Sequence, residues 1–364
     1  MPIQPGPDTE TLLAKLLELY GWAEQELLTK LAKALTKGID GEHWTEQQLV
    51  ELQRYRRQAE QILEKLMANT PAAAGDAVTK AVNRGAAAAS ADVAAAVQAP
   101  IITGAGMTVV DTFAATAMAA ELTGTLGQTR SNIFRSVDDI YRRVITDVTS
   151  NALLGATTRR QAAETALQRF SRAGITGFTD RTGRRWEMTT YVESATRSSL
   201  MNAATEGHTQ RLQQSGYDIV VVSDVPQECE RCRPWEGKLL TLSGRATTVN
   251  DRSGRIIPVV GTLSQAKRAG LFHPNCRHSY TLWTPRTRSF GETADPEGDK
   301  ARQKLRYLER CVRAARREEL AALTPEGERK ARQKVAAYQG KIREHVATTS
   351  AKRQPHRERL TAAR

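Results

Sequence analysis

Two stretches decide the fold of the second half of this 364-residue chain: Tyr217–Leu242, YDIVVVSDVPQECERCRPWEGKLLTL, and Leu271–Trp283, LFHPNCRHSYTLW. Tyr217-Asp218-Ile219-Val220-Val221-Val222 is apolar and β-branched, which predicts a buried strand. Lys238-Leu239-Leu240-Thr241-Leu242 predicts a second strand, and Ser279–Trp283 a closing one. Asn250-Asp251-Arg252-Ser253-Gly254 is a turn, and Leu263–Ala269 a short helix. Between the strands stand Cys229-Glu230-Arg231-Cys232 and His273-Pro274-Asn275-Cys276-Arg277-His278. A Cys-x-x-Cys turn brings two thiolates within reach of one ion, and zinc takes four such ligands in a tetrahedron. Cys229, Cys232 and Cys276 supply three. His273 repeats the two-residue spacing before Cys276, while His278 suits an extended chain, so spacing leaves the fourth place open between them. Arg231, Arg233 and Arg277 flank the cluster and are expected to favour the thiolates.

Four protein ligands leave no position for water, so the expected role of the Zn2+ is structural, stapling a loop-rich segment. A thioredoxin-type pair would open a helix, whereas Pro234 and Gly237 turn the chain toward a strand. A disulfide is disfavoured in a cytoplasmic setting. Cys311, alone on a helical stretch, reads as a bystander.

Upstream, the periodicity is helical. Leu12, Leu13, Leu16, Leu17, Leu19, Leu27, Leu28, Leu31 and Leu35 recur at helical spacing, and Lys37–Gly41 ends the run. Thr45-x-x-Gln48 reads as a capping box opening a second helix, with Leu49, Leu52, Tyr55, Ile62, Leu63 and Leu66 on one face. Residues 71–130 are rich in Ala, Thr and Gly, which suits closely packed small-faced helices or a mobile linker. Ile133, Val137, Ile140, Val144 and Val148 line another helix, and Thr158-x-x-Gln161 caps the next. Gly177–Glu187 reads as a hairpin turning at Arg181-Thr182-Gly183. Thr189–Gln214 returns to helix, and Gly216 ends it. From Asp295 two charged helices follow, the second ending near His345, and Ala347–Arg364 reads as disordered.

The net charge of +13 is concentrated at the end: residues 299–364 carry nineteen Lys/Arg against eight Asp/Glu. A phosphate-rich partner is therefore expected only there, with Arg302, Lys304, Arg306, Arg313, Arg316 and Arg317 as candidate DNA contacts. Aromatics for base stacking are nearly absent, so contact would be to phosphates. The N-terminus lacks the pattern of a signal peptide, and no stretch reads as a membrane span.

The combined motif Cys229-x-x-Cys232, Trp235-Glu236-Gly237-Lys238, His273-Pro274-Asn275-Cys276-Arg277-His278 resembles that of bacteriophage minor capsid, or head morphogenesis, proteins related to the F protein of phage Mu. Arg197-Ser198 and Ala204-Thr205-Glu206-Gly207 in the preceding helix look like the family's Arg…Thr/Glu helix, and the Gly183–Trp186 hairpin resembles that of minor capsid proteins of phages of Gram-positive hosts, so the chain is identified as similar to the Mu F-like, minor capsid protein 2 type. The likeness covers residues 130–285. His278 stands where many such proteins have cysteine, an exchange a metal ligand tolerates. The resemblance implies a structural, non-enzymatic virion protein of low copy number, assembled in the host cytoplasm. Its implied partners are the portal protein, the major capsid protein and packaged double-stranded DNA, and its implied work is head assembly with packaging or ejection. The competing reading is an HNH-like metal-dependent nuclease built on His273 and Asn275. It would need a second histidine base, and His208 has no Asp or His beside it in the sequence.

The expected architecture is α+β: mainly helical, with a small zinc-stapled β-containing domain in residues 177–285. Three successive regions are expected: a helical docking region at 1–125, a head-morphogenesis domain at 126–285 with its knuckle at 217–284, and a basic helical tail at 286–364.

Overall fold

The computed structural model describes residues 7–97, 112–153, 157–173, 178–179, 185–225, 229–273, 276, 278–287 and 295–360. It is mainly helical with a small five-stranded mixed sheet and a separate two-stranded one, an α+β chain. The helices are α1 (Pro7–Thr36), α2 (Trp44–Val97), α3 (Thr112–Gly127), α4 (Thr129–Leu153), α5 (Arg159–Ala173), α6 (Met188–Gln214), α7 (Leu263–Arg268), α8 (Pro296–Leu320) and α9 (Pro325–Ala347). The strands are β1 (Phe178–Thr179), β2 (Arg185–Trp186), β3 (Ile219–Val222), β4 (Leu239–Thr241), β5 (Thr248–Asn250), β6 (Ile256–Thr262) and β7 (Tyr280–Leu282). Two compact units each draw on three stretches of the chain. One combines Met1–Leu13, Ala72–Thr123 and Ser194–Lys300; the other combines Ala14–Pro71, Gly124–Glu193 and Ala301–Arg364.

The first unit holds the sheet, in the order β5-β6-β4-β3-β7. Only the β4–β6 pairing is parallel. The strands β5 and β6 flank the expected turn at Asn250–Gly254, where Gly254 takes a positive φ of 82°; sequence reading missed both. Thr262 and Gln265 form a capping box at the start of α7. The C-terminal half of α2 packs directly on α6. A Cβ at Gly85 would stand 1.9 Å from the Ala204 carbonyl oxygen, and one at Gly207 2.1 Å from that of Val82. The Ala/Gly-rich part of α2 is thus a closely packing small face; residues 98–111 lie outside the described residues.

The second unit is built on the hairpin of α1 with the first half of α2. Leu16, Tyr20, Leu27, Leu28, Leu31 and Leu35 are buried. The Trp44 indole donates to the Leu35 carbonyl and the Tyr55 hydroxyl to that of Leu27, 3.0 and 3.1 Å away. The expected box at Thr45 is absent because the helix starts one residue earlier, and Gln48 instead donates to the Lys37 carbonyl and accepts from Tyr141. Leu49, expected inward, is 70% exposed. The box at Thr158 and Gln161 forms as expected, each backbone N–H bonded to the other's side chain. The strands β1 and β2 pair antiparallel, as the hairpin reading required, while their turn lies outside the described residues.

The basic tail departs most from expectation. Arg317 is buried; it donates to the Ser171 carbonyl at 2.9 Å and pairs with Glu187. Arg313, also buried, donates to the Arg357 carbonyl at 2.7 Å and to Thr190. Residues beyond Ala347, expected to be disordered, are described to Leu360. Arg357 pairs with Glu193, Arg353 grips Glu358 through two hydrogen bonds of 2.6 and 2.8 Å, and Ala351 joins the cluster of Leu305, Leu308, Val312 and Ile342. A charge run has the same composition whether it is solvated or paired internally, and here acidic partners distant in sequence capture it.

G85A and G207A should each lower the melting temperature, by an overpacking cost of about 1–3 kcal/mol. G75A, whose Cβ would meet nothing within 4 Å, should be neutral or stabilising, by up to about 1 kcal/mol. Burial opposes ionisation of Glu187, but Arg317 and Arg313 outweigh it and hold the carboxyl at about 2. Its pKa is lower folded than unfolded, so its contribution is complete above the ordinary carboxylate value near 4.5 and is lost as pH falls toward about 2. Acid titration of wild type and E187Q, followed by circular dichroism, should show a flatter stability profile in the variant across that window.

Candidate metal centre

The strand register places the cluster. Val220 and Val221 face Leu240 and Leu239 on β4, and Val222 faces Tyr280 on β7. The end of β3 and the beginnings of β4 and β7 therefore meet at one end of the sheet. The two loops rooted there are the ones carrying the cysteines and histidines. Their roots are tied: Ser223 N–H donates to the Ser279 carbonyl at 2.8 Å, and Ser279 N–H to the Ser223 hydroxyl at 3.0 Å. Gly237, at φ 67°, turns the chain into β4 and donates its N–H to the Val222 carbonyl.

Both loops form the same kind of turn. Cys232 N–H donates to the Cys229 carbonyl at 3.1 Å, and Cys276 N–H to that of His273 at 2.9 Å. The first turn runs into a three-residue 3-10 helix, Arg233–Trp235, rather than an α-helix. Phe272, just before His273, takes a positive φ of 61°, a costly conformation for a non-glycine residue.

The donor atoms fall into two triads that share Cys232, one with Cys229 and His273, the other with Cys276 and His278; within each, the atoms lie within 4.8 Å of one another. Cys232 Sγ is 3.5 Å from Cys276 Sγ, which is 3.3 Å from His278 Nδ1; Cys229 Sγ is 2.9 Å from His273 Nε2. All four cysteines of the chain are free. Soft thiolates with imidazole make a donor set that could hold a metal ion. The second triad is wholly buried and sits in a core with Val220, Val222, Leu240, Leu271 and Tyr280.

A hydrogen bond from Cys232 lowers the Cys276 thiol to about 4, against the effect of burial, and His278 adds to the lowering. The same hydrogen bond, with burial, raises Cys232. Burial disfavours the His278 imidazolium, but Cys276 and Glu236 outweigh it and raise the histidine above its ordinary value. Besides burial, the leading causes of these shifts are cluster members and Glu236 rather than Arg231 and Arg233; Arg277 lies outside the described residues.

Sequence reading missed a second polar cluster in this unit. The Asp92 carboxylate stands 3.2 Å from His208 Nε2 and accepts from the Thr281 hydroxyl at 2.6 Å and from Leu282 N–H at 3.2 Å. The Tyr280 hydroxyl donates to the Thr205 carbonyl, and its ring meets His208 edge-on. His208 thus has an acidic neighbour, from α2, and both are buried. The only sequence signal was a carboxylate set in an alanine run.

Of the residues expected to contact DNA, Lys304 is exposed, Arg302 and Arg316 are half-buried, and Arg306 pairs with Glu309 at 3.2 Å. Arg313 and Arg317 are buried and engaged in the internal contacts described above.

A family model described as Phage minor capsid protein 2 matches residues 7–347. No curated protein and no solved structure matches the chain.

Proposed function

The chain belongs to the phage minor capsid protein 2 family, and on that premise we propose that it is a low-copy, non-enzymatic structural component of the phage head. In this reading it is assembled in the host cytoplasm and carried in the virion. It contacts the portal and major capsid proteins and acts in head assembly, with a part in DNA packaging or ejection. The family match across nearly the whole chain is the observation that carries this reading. No helix among the described residues is long and apolar enough to cross a membrane.

The Cys/His cluster is read as a structural zinc site. Bound there, zinc would cross-link the two loops, a constraint that binding energy converts into folding energy. The chain's own contribution is to present three sulfurs and an imidazole from turns already closed by backbone hydrogen bonds. The HNH-like nuclease alternative gains no support from geometry. His208, the other histidine of the middle region, is fully buried against Asp92 and Tyr280; Asn275 lies outside the described residues.

DNA contact is assigned to the accessible part of α8, chiefly Lys304 with Arg302 and Arg316. Reversing charge at Lys304 and Arg302 should weaken binding to any duplex sequence and flatten its dependence on salt, by about one counterion for each phosphate left without its cation. Filter-binding titrations across a salt series check this; salt-insensitive binding would contradict it. For the structural role, quantitative mass spectrometry of purified virions should find the protein well below the abundance of the major capsid protein. Its absence from particles would overturn the reading.

A further inference from the structure

Resting on the zinc reading above, we propose that the ion is centred on the buried triad of Cys232, Cys276 and Nδ1 of His278, with Cys229 drawn in from the other triad as the fourth ligand. Glu236 positions His278 for this task, and His273 stands outside the ligand set. His278 is 2% exposed, and its Nε2 lies 2.6 Å from Glu236 Oε1. A carboxylate on the far nitrogen places the ring proton there, leaves the Nδ1 lone pair toward the sulfurs and fixes the ring's orientation. Glu236 is itself fixed, because Oε1 accepts the Val225 N–H at 3.1 Å and its residue precedes the Gly237 turn.

Distances separate the two histidines. Around one tetrahedral zinc, neighbouring thiolates stand about 3.8 Å apart, and a thiolate and an imidazole nitrogen about 3.5 Å. The Cys232–Cys276 and Cys276–His278 separations, 3.5 and 3.3 Å, lie near those edges. His273 Nε2 is 2.9 Å from Cys229 Sγ, closer than two ligands of one ion stand, and it fits a hydrogen bond to that sulfur. His273, like Cys229, is only half-buried, while Cys232, Cys276 and His278 are buried together. The assignment makes Glu236-Gly237, beside the strand, part of the metal site, and places His273 as a sulfur-capping group at its exposed side.

The test is zinc content and zinc competition against a chromogenic chelator, on the full chain. Wild type should carry one zinc per chain, and H273A should retain it. E236Q should lose roughly 10–100-fold in affinity, with unchanged circular dichroism at saturating zinc. H278A should lose more than E236Q, and H278C should recover the ion. Release of the ion by H273A, or its retention by H278A, would overturn the ligand assignment. Full affinity in E236Q would overturn the role of Glu236. A wild-type chain that binds no zinc would instead refute the zinc reading itself. Should H278A fail to fold, ¹⁵N spectra of wild type decide: a metallated Nδ1 and protonated Nε2 on His278 support the assignment, and metallation of His273 contradicts it.

Discussion

At Val222 the chain is paired on both sides. Its N–H reaches the Lys238 carbonyl, and across the other edge of β3 it stands opposite Tyr280. A shift of either neighbour by one residue would turn its side chains to the opposite face of the sheet. The loop roots would also separate, taking Cys232 away from Cys276. The pairing sets the cluster's geometry, and a bound ion would in turn lock the pairing. The constraint extends into the helices of the same unit, because Tyr280, Thr281 and Leu282, just beyond His278, reach Thr205 on α6 and Asp92 on α2. Those helices can approach so closely only because Gly85 and Gly207 carry no side chain.

Local periodicity made much of this legible. The leucines of α1, the β-branched run Ile219–Val222 and the Thr158–Gln161 box report their neighbours within a few residues, and the structure bears them out. The cysteines and histidines were legible as a cluster because thiolates at that spacing have few other uses. Long-range pairing was not legible. Asp92 and His208 are 116 residues apart and give no shared signal. Arg313, Arg317 and Arg357 read as solvated charge until Glu187 and Glu193 are seen beside them. Strand β6 was missed because Pro258 and Gly261 interrupt its alternation, and Leu49 was misplaced because a helical stripe does not reveal where its partner ends.

Membership of a phage minor capsid family frames what such an architecture is for. A particle component must keep its shape through assembly, and a loop-rich sheet of short strands has little apolar area with which to do so. A metal bound at the thiolate–imidazole cluster would offer that rigidity without a large core. The second unit, beside its leucine core, holds buried ion pairs that are costly to break once one partner is removed. The tail's charge is therefore partly structural.

The central claim is that the two loops and three strands around Val222 form one metal-locked unit. Hydrogen–deuterium exchange of the full chain, measured with bound zinc and after complete chelation, tests it most directly. The account predicts that amides in residues 217–242 and 278–284 lose protection on chelation, while those of α4 and α5 keep theirs. Equal protection of 217–242 and 278–284 in both states would contradict it.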